Sequence, residues 1–142
     1  ITVLPRNRDE PLSGFDTGPG NCLMDEWIAS HLGKTYDEEG RWAATGRPHQ
    51  TLLEALHRDP YFAEDPPKST GREKFNLHWL NTILKDQSFS TINKEDIQAS
   101  LLSLSANTIV NHIDRYANEA EKILVCGGGV FNVELMKQIG TL

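Results

Sequence analysis

Twice in this chain an apolar, strand-like run passes through close-packed glycines directly into a helical pattern. The first passage is Gly14-Phe15-Asp16-Thr17-Gly18-Pro19-Gly20-Asn21 and the second is Val125-Cys126-Gly127-Gly128-Gly129-Val130-Phe131-Asn132. Glycine adopts backbone angles closed to other residues and lets a helix, strand or ligand come close to the main chain. Strand–glycine–helix units of this kind predict an α/β fold. Most of what lies between them is helical in period. Leu23, Met24, Trp27, Ile28 and Leu32 predict a helix capped by Asn21 and stopped at Gly33. Pro48 suits the first turn of a helix carrying Leu52, Leu53 and Leu56, which Asp59-Pro60 ends. Phe75, Leu77, Trp79, Leu80, Ile83 and Leu84 mark a third helix. The longest periodic run spans about Lys94 to Ala117, with Asn93 as its cap and Glu95 and Asp96 in the first turn, where the helix dipole favours acids. A last helix opens near Asn132. Leu12–Phe15 reads as a short strand, Lys122–Cys126 as a buried one, and residues 34–47 as loop. The expected class is therefore helix-rich α/β.

Composition narrows the function. Of 142 residues, 14 are Lys or Arg and 20 are Asp or Glu, a formal net charge of −6. Without a clustered Lys/Arg stripe, an acidic chain is a poor grip for nucleic acid phosphates. No apolar run approaches the ~20 residues that span a bilayer, so no membrane partner is expected. The only cysteines, Cys22 and Cys126, are too far apart in sequence for a zinc pattern and too few for a disulfide framework, which makes a reducing, cytoplasmic compartment the default. The five histidines have no metal-ligand spacing and are expected at the surface or its boundary; Trp27, Trp42 and Trp79 are expected to be core or helix-packing residues. Cys126 is expected to be a buried apolar residue rather than a nucleophile, since no His is near it in sequence. The opening Ile1-Thr2-Val3-Leu4-Pro5 and the closing Met136–Gly140 both look cut from a longer protein.

Three segments carry candidate chemistry. Asp16, at the end of a strand and followed by glycines and a helix start, can face a ligand that the backbone closely approaches, and helix N-termini with open amides favour anions. Such an acid can act as a general base or hold a hydrated metal. The alternative is a tight strand-to-helix turn with Asp16 as its local cap. The Gly127-Gly128-Gly129 run permits a flat ligand or phosphate to press on the backbone, or it merely lets strand and helix pack; it lacks the G-x-G-x-x-G spacing. In Pro66-Pro67-Lys68-Ser69-Thr70-Gly71-Arg72-Glu73 the Walker order is missing. The segment can present donors to an anionic or sugar ligand, or serve as a surface turn.

Taken together, these segments resemble the anhydro-N-acetylmuramic acid kinase family. Gly14–Asn21, then Tyr36-Asp37 with Gly40 and Ala43, then Pro60-Tyr61-Phe62, Pro66–Phe75 and Cys126–Asn132 match in order and spacing over nearly the whole chain. The triple glycine is shared across the wider actin/hexokinase-like ATPase superfamily. The resemblance implies a cytoplasmic enzyme of peptidoglycan recycling that uses ATP, with Mg²⁺, and water to convert 1,6-anhydro-N-acetylmuramic acid to N-acetylmuramic acid 6-phosphate. It implies two ribonuclease-H-like lobes around a cleft, in members well over twice this length. Residues 1–142 would then be a single incomplete lobe, without the amino-terminal lobe that carries the phosphate loop. By position, Asp16 matches the catalytic base, and Thr17, Gly18, Gly20 and Asn21 match the turn beside phosphates and sugar. Gly127, Gly128 and Gly129, with Asn132, match the adenosine-side loop. Lys68, Ser69, Thr70 and Arg72 belong to a family motif that either touches ligand or braces the cleft. The partners implied are the sugar and ATP, with an exposed lobe face that can also pair with itself as a homodimer. The alternatives are another sugar kinase or phosphatase of the superfamily, and a ligand-binding or structural lobe with no activity of its own, the reading favoured for these residues in isolation.

Overall fold

The computed structural model describes residues 1–7 and 9–141. In chain order come two short strands, β1 (Thr2–Val3) and β2 (Ser13–Gly14), and five helices: α1 (Cys22–Leu32), α2 (Gln50–His57), α3 (Leu77–Leu84), α4 (Lys94–Tyr116) and α5 (Val133–Thr141). The strands pair antiparallel, Thr2 opposite Gly14 and Val3 opposite Ser13. Single 3₁₀ turns lie at Glu38–Gly40, Ala43–Thr45, Pro60–Ala63, Gln87–Phe89 and Gly128–Phe131. The result is helix-rich with a small sheet. No helix among the described residues is long and apolar enough to cross a membrane.

The helix ends follow local chemistry. Gly33 adopts φ +66° and its N–H donates to Ala29 O, so α1 stops where only glycine is comfortable. Asn76 Oδ1 accepts the Trp79 N–H at 3.0 Å and opens α3. Two caps differ from expectation. Asn21 and Asn93 hold the N-cap positions of α1 and α4, but neither side chain makes the capping bond. The second helix also starts later than Pro48 suggests. His49 Nδ1 accepts the Leu52 N–H at 3.3 Å, so the cap is His49 and the helix begins at Gln50. The cause is tertiary: the Arg47 N–H donates to Asp96 Oδ1 at 2.7 Å and the His49 N–H to Ser100 Oγ at 2.9 Å, which holds this stretch against α4.

Helix α4 is the axis of the fold, packed by α1, α2, α5 and the 43–45 turn. Every residue from Ile97 to Ala106 is buried. By sequence pattern Ile97, Leu101, Leu104, Ile109, Ile113 and Tyr116 lie near one face, yet Ser100, Ser103 and Ser105 are buried as well. The serines let neighbouring elements approach closely, and each hydroxyl is satisfied: Ser100 donates to Asp96 O, Ser103 to Gln138 Oε1 at 2.9 Å and Ser105 to Gly20 O at 2.7 Å. Gly46 rests on the start of this helix, where a Cβ would sit 2.1 Å from Glu95 O. On the other side of the core, Phe75 is completely buried, stacked on Phe62 and edge-on to Tyr61 and Trp79. Trp27 is buried as expected, and Trp42 and Trp79 pack half-buried against the core.

Three expectations are corrected. Residues 122–126 are exposed and form no regular element, not a buried strand; Leu124 is 87% exposed. A strand exists through ladder bonds to a neighbour, and among the described residues no backbone hydrogen bond reaches this segment. Cys126 is accordingly exposed rather than buried. His112, expected near the surface, is 6% exposed between Phe15 and Tyr116, and its Nδ1–H donates to Thr108 O at 2.7 Å. Burial pushes its pKa below the ordinary histidine value.

Candidate active site

Strand β2 delivers the chain through buried Phe15 to Asp16, and the Pro66–Thr70 segment runs alongside it. The Asp16 N–H donates to Lys68 O at 3.1 Å. In return, the Thr70 N–H and the Ser69 hydroxyl both donate to Asp16 Oδ2 at 3.0 Å. The Tyr61 hydroxyl donates to the Asp16 carbonyl at 2.9 Å. Two motifs some fifty residues apart are thus joined on one aspartate (53 and 54 residues for the side-chain bonds). Both bonds converge on Oδ2, and Oδ1 has no hydrogen-bond donor among the described residues.

Lys68 supports this clasp from beneath. It is buried, its ammonium donates to Tyr61 O at 2.9 Å, and it lies 4.6 Å from the centroid of the Tyr61 ring. Burial lowers the lysine pKa, against the opposing pull of Glu64. Burial, with the Asp16 charge adding to it, pushes the Tyr61 phenol up to about 12. In this structure the Lys68 ammonium is engaged by the Tyr61 carbonyl and ring. Ser69 and Arg72 are exposed, and Thr70 is half-buried with an Oγ1 that has no partner among the described residues.

The turn after Asp16 is shaped by its glycines. At Gly18 a Cβ would press on Phe62 Cε1 at 3.0 Å and Thr108 Oγ1 at 3.1 Å, so the turn lies tight on α4. Gly20 differs: its φ is +55° and a Cβ there would meet nothing within 4 Å. Thr17 is buried within the turn. A cavity of about 130 Å³ opens here, lined by Gly18, Pro19, Cys22, Thr70, Gly71 and Arg72. It places the Arg72 cation beside both motifs.

The second glycine passage meets the first at the start of α1. A Cβ on Gly129 would lie 3.1 Å from Asn21 Oδ1, whereas Gly127 (φ +84°) and Gly128 face open space. Asn132 is buried and its Oδ1 accepts the Leu135 N–H at 3.0 Å, capping α5. The same oxygen explains Gly40, where φ is +73° and a Cβ would fall 2.3 Å from it. Asp37 anchors the other end of this segment. It is buried, its Oδ1 accepts the Trp42 N–H, and its Oδ2 accepts the Ala43 N–H and the Gln98 amide. Between these elements lies the larger cavity, about 360 Å³, lined by Asn21, Asp25, Thr35, Tyr36, Asp37, Glu39, Gly128, Phe131 and Asn132. Burial raises the Asp25 pKa, with Asp37 adding to the rise and Arg72 opposing it.

The structure therefore brings Asp16, Ser69, Thr70, Gly18 and Arg72 to one place, and Asn21, Gly128 and Asn132 to an adjoining one. Lys68 faces the core side of the clasp. Tyr61, Asp25 and Ser105 carried no role in the sequence pattern. Asp25 was accessible by spacing, since it lies four residues after Asn21 and so shares its helix face. Tyr61 and Ser105 act through contacts 45 and 85 residues away, for which sequence spacing gives no signal. Among the described residues no group of three or more His, Cys, Asp or Glu side chains is arranged to hold a metal ion.

The family model described as anhydro-N-acetylmuramic acid kinase matches residues 1–142. The chain belongs to the anhydro-N-acetylmuramic acid kinase family. Members named as that kinase in Paraburkholderia xenovorans and Pseudomonas fluorescens are 45% and 48% identical over 139 and 134 residues, which is 98% and 94% of this chain. The Coxiella burnetii member is 42% identical over all 142 residues. The matched region is 36–37% of each of these proteins, so the chain spans about a third of the length of the relatives it matches.

Proposed function

We propose that this chain contributes the general base and part of the nucleotide-side wall of an ATP-dependent kinase that opens 1,6-anhydro-N-acetylmuramic acid and yields N-acetylmuramic acid 6-phosphate. Residues 1–142 would form part of one ribonuclease-H-like lobe of a two-lobed cytoplasmic enzyme of peptidoglycan recycling. The observation that carries this reading is the Asp16 clasp. One carboxylate oxygen is held by two donors and the other has none among the described residues, beside a turn whose Gly20 backbone is open. That is the state a general base needs: fixed in direction, with a lone pair to take a proton.

The surroundings fit a nucleotide. Gly20, Gly127 and Gly128 each present backbone with nothing near the Cβ position, so a ligand can lie flat against the main chain. The larger cavity is lined by Asp25, Asp37 and Glu39, which suits uncharged ribose hydroxyls rather than phosphates. Arg72, in the smaller cavity, is the cation available to a phosphate oxygen. Mg²⁺ fits the same scheme without a dedicated cage, because it usually keeps its waters and binds through the nucleotide's phosphates and one or two carboxylates.

The chemistry needs one base. Inverting glycoside cleavage ordinarily pairs a carboxylate base with a carboxylic acid that protonates the leaving oxygen. In an anhydro sugar that leaving oxygen, O6, is also the phosphoryl acceptor. Asp16 takes a proton from water as the water oxygen bonds to C1 and the C1–O6 bond breaks. ATP supplies the phosphoryl group that O6 takes up in place of a proton, ADP being released. The proton then passes from Asp16 to solvent, and the balance is one water and one ATP consumed per sugar phosphate. Positioning of this kind requires both walls of a cleft, so the isolated 142 residues should not turn over. Incubating the full-length protein with ATP and the anhydro sugar, and identifying the product by mass spectrometry, tests the reading. Formation of the 6-phosphate with stoichiometric ADP supports it; ATP hydrolysis alone, or preference for a non-anhydro sugar, refutes it.

A further inference from the structure

We infer that Ser69 is a positioning residue that directs the Asp16 carboxylate, leaving Oδ1 as the oxygen that takes the proton. The inference deepens the proposed function and rests on Asp16 being the base. The Ser69 hydroxyl and the Thr70 N–H donate to the same oxygen, Oδ2, each at 3.0 Å. Two donors on one carboxylate oxygen fix the rotation of the group about its Cβ–Cγ bond, and they reduce the charge on that oxygen relative to the other. Proton affinity is thereby concentrated on Oδ1. A single donor would leave the carboxylate free to pivot.

The clasp is tied at several points. The Asp16 N–H is bonded to Lys68 O, the Asp16 carbonyl accepts the Tyr61 hydroxyl, and Lys68 ties Tyr61 back through its carbonyl. Within this set the Thr70 donor is main chain and cannot be removed by substitution of a side chain. The Ser69 hydroxyl is the element that sequence can vary. Ser69 is exposed, so its replacement disturbs no core packing. Its role is thus separable from stability.

The experiment is a double-mutant cycle in the full-length kinase, combining Ser69→Ala and Ser69→Thr with Asp16→Asn. Ser69→Ala should lower kcat about tenfold, the scale of one hydrogen bond to a charged group. KM for ATP and for the sugar should stay within about twofold, because the bond acts on the base and not on either substrate. Ser69→Thr keeps the hydroxyl and should recover most of kcat. In the Asp16→Asn background, Ser69→Ala should have no further effect. Equal losses in both backgrounds, or a loss confined to KM, would overturn the positioning role while leaving Asp16 as the base. Near-normal turnover by Asp16→Asn alone would instead overturn the assignment of the base, and the positioning role with it.

Discussion

Substituting Gly40 by alanine probes how the loop packed against Asn132 is held. Gly40 has φ +73°, and a Cβ there would lie 2.3 Å from Asn132 Oδ1 and 2.9 Å from Glu134 Cβ. Two costs follow. A left-handed backbone angle on a residue with a Cβ costs about 1–2 kcal/mol. Relief of the contact requires Asn132 to swing away, which breaks its cap on Leu135 N–H and costs about 1 kcal/mol more. The total is about 2–3 kcal/mol. Gly33 provides the control, since its φ is +66° and a Cβ there would meet nothing within 4 Å. Gly33→Ala should therefore show the backbone cost alone. Urea unfolding of the full-length protein, read by tryptophan fluorescence, measures both variants. Gly40→Ala should be less stable than Gly33→Ala by about 1 kcal/mol, and it alone should weaken ADP binding by calorimetry, because Asn132 and Gly128 line the same cavity. Equal stability and equal ADP affinity in the two variants would refute the Gly40–Asn132 contact as the determinant of that loop.

Phe75→Ala removes a completely buried ring that contacts three other aromatics and should cost about 3–5 kcal/mol in chemical denaturation. Tyr61→Phe deletes the bond to the Asp16 carbonyl and should cost about 1 kcal/mol at neutral pH. The phenol pKa is raised to about 12 in the folded chain, above the ordinary value of about 10. Its stabilising contribution is therefore present below about pH 10 and is lost as the pH rises through about 12, a loss that Tyr61→Phe should remove from the alkaline stability curve. His112 carries the opposite sign. Burial lowers its folded pKa, so its contribution is present above the ordinary value of about 6.5 and is lost as the pH falls through the lowered one. His57 is lowered for the same reason, and histidine titration by NMR should find both rings neutral at pH values where exposed histidines are already protonated.

Periodicity recovered the helices because each buries an apolar stripe against its neighbours. Helix α1 ends at Gly33 as read, for a reason local to one residue. Local sequence pattern falls short wherever a distant partner decides the structure. The helix expected from Pro48 begins at Gln50 because Asp96 and Ser100 hold the preceding backbone, 49 and 51 residues away. The serines of α4 are buried because neighbours approach on every side, which a hydropathy pattern cannot express. Residues 122–126 have the composition of a buried strand but are exposed, since composition supplies side chains for a core and not a strand to pair with. At the site, Asp16 was legible as a carboxylate at a strand end before glycines. Its clasp by Ser69 and Thr70 was not, because nothing in local spacing links residue 16 to residue 69.

The most direct measurement is turnover of 1,6-anhydro-N-acetylmuramic acid by full-length Asp16→Asn, with ADP affinity determined on the same preparation. With the proposed carboxylate base replaced by an amide of the same shape, turnover should fall by at least ~10²-fold, while ADP binding, proposed for the Gly127–Asn132 side, should be unchanged. Turnover close to that of the unsubstituted protein, with the fold and ADP binding intact, would contradict the account.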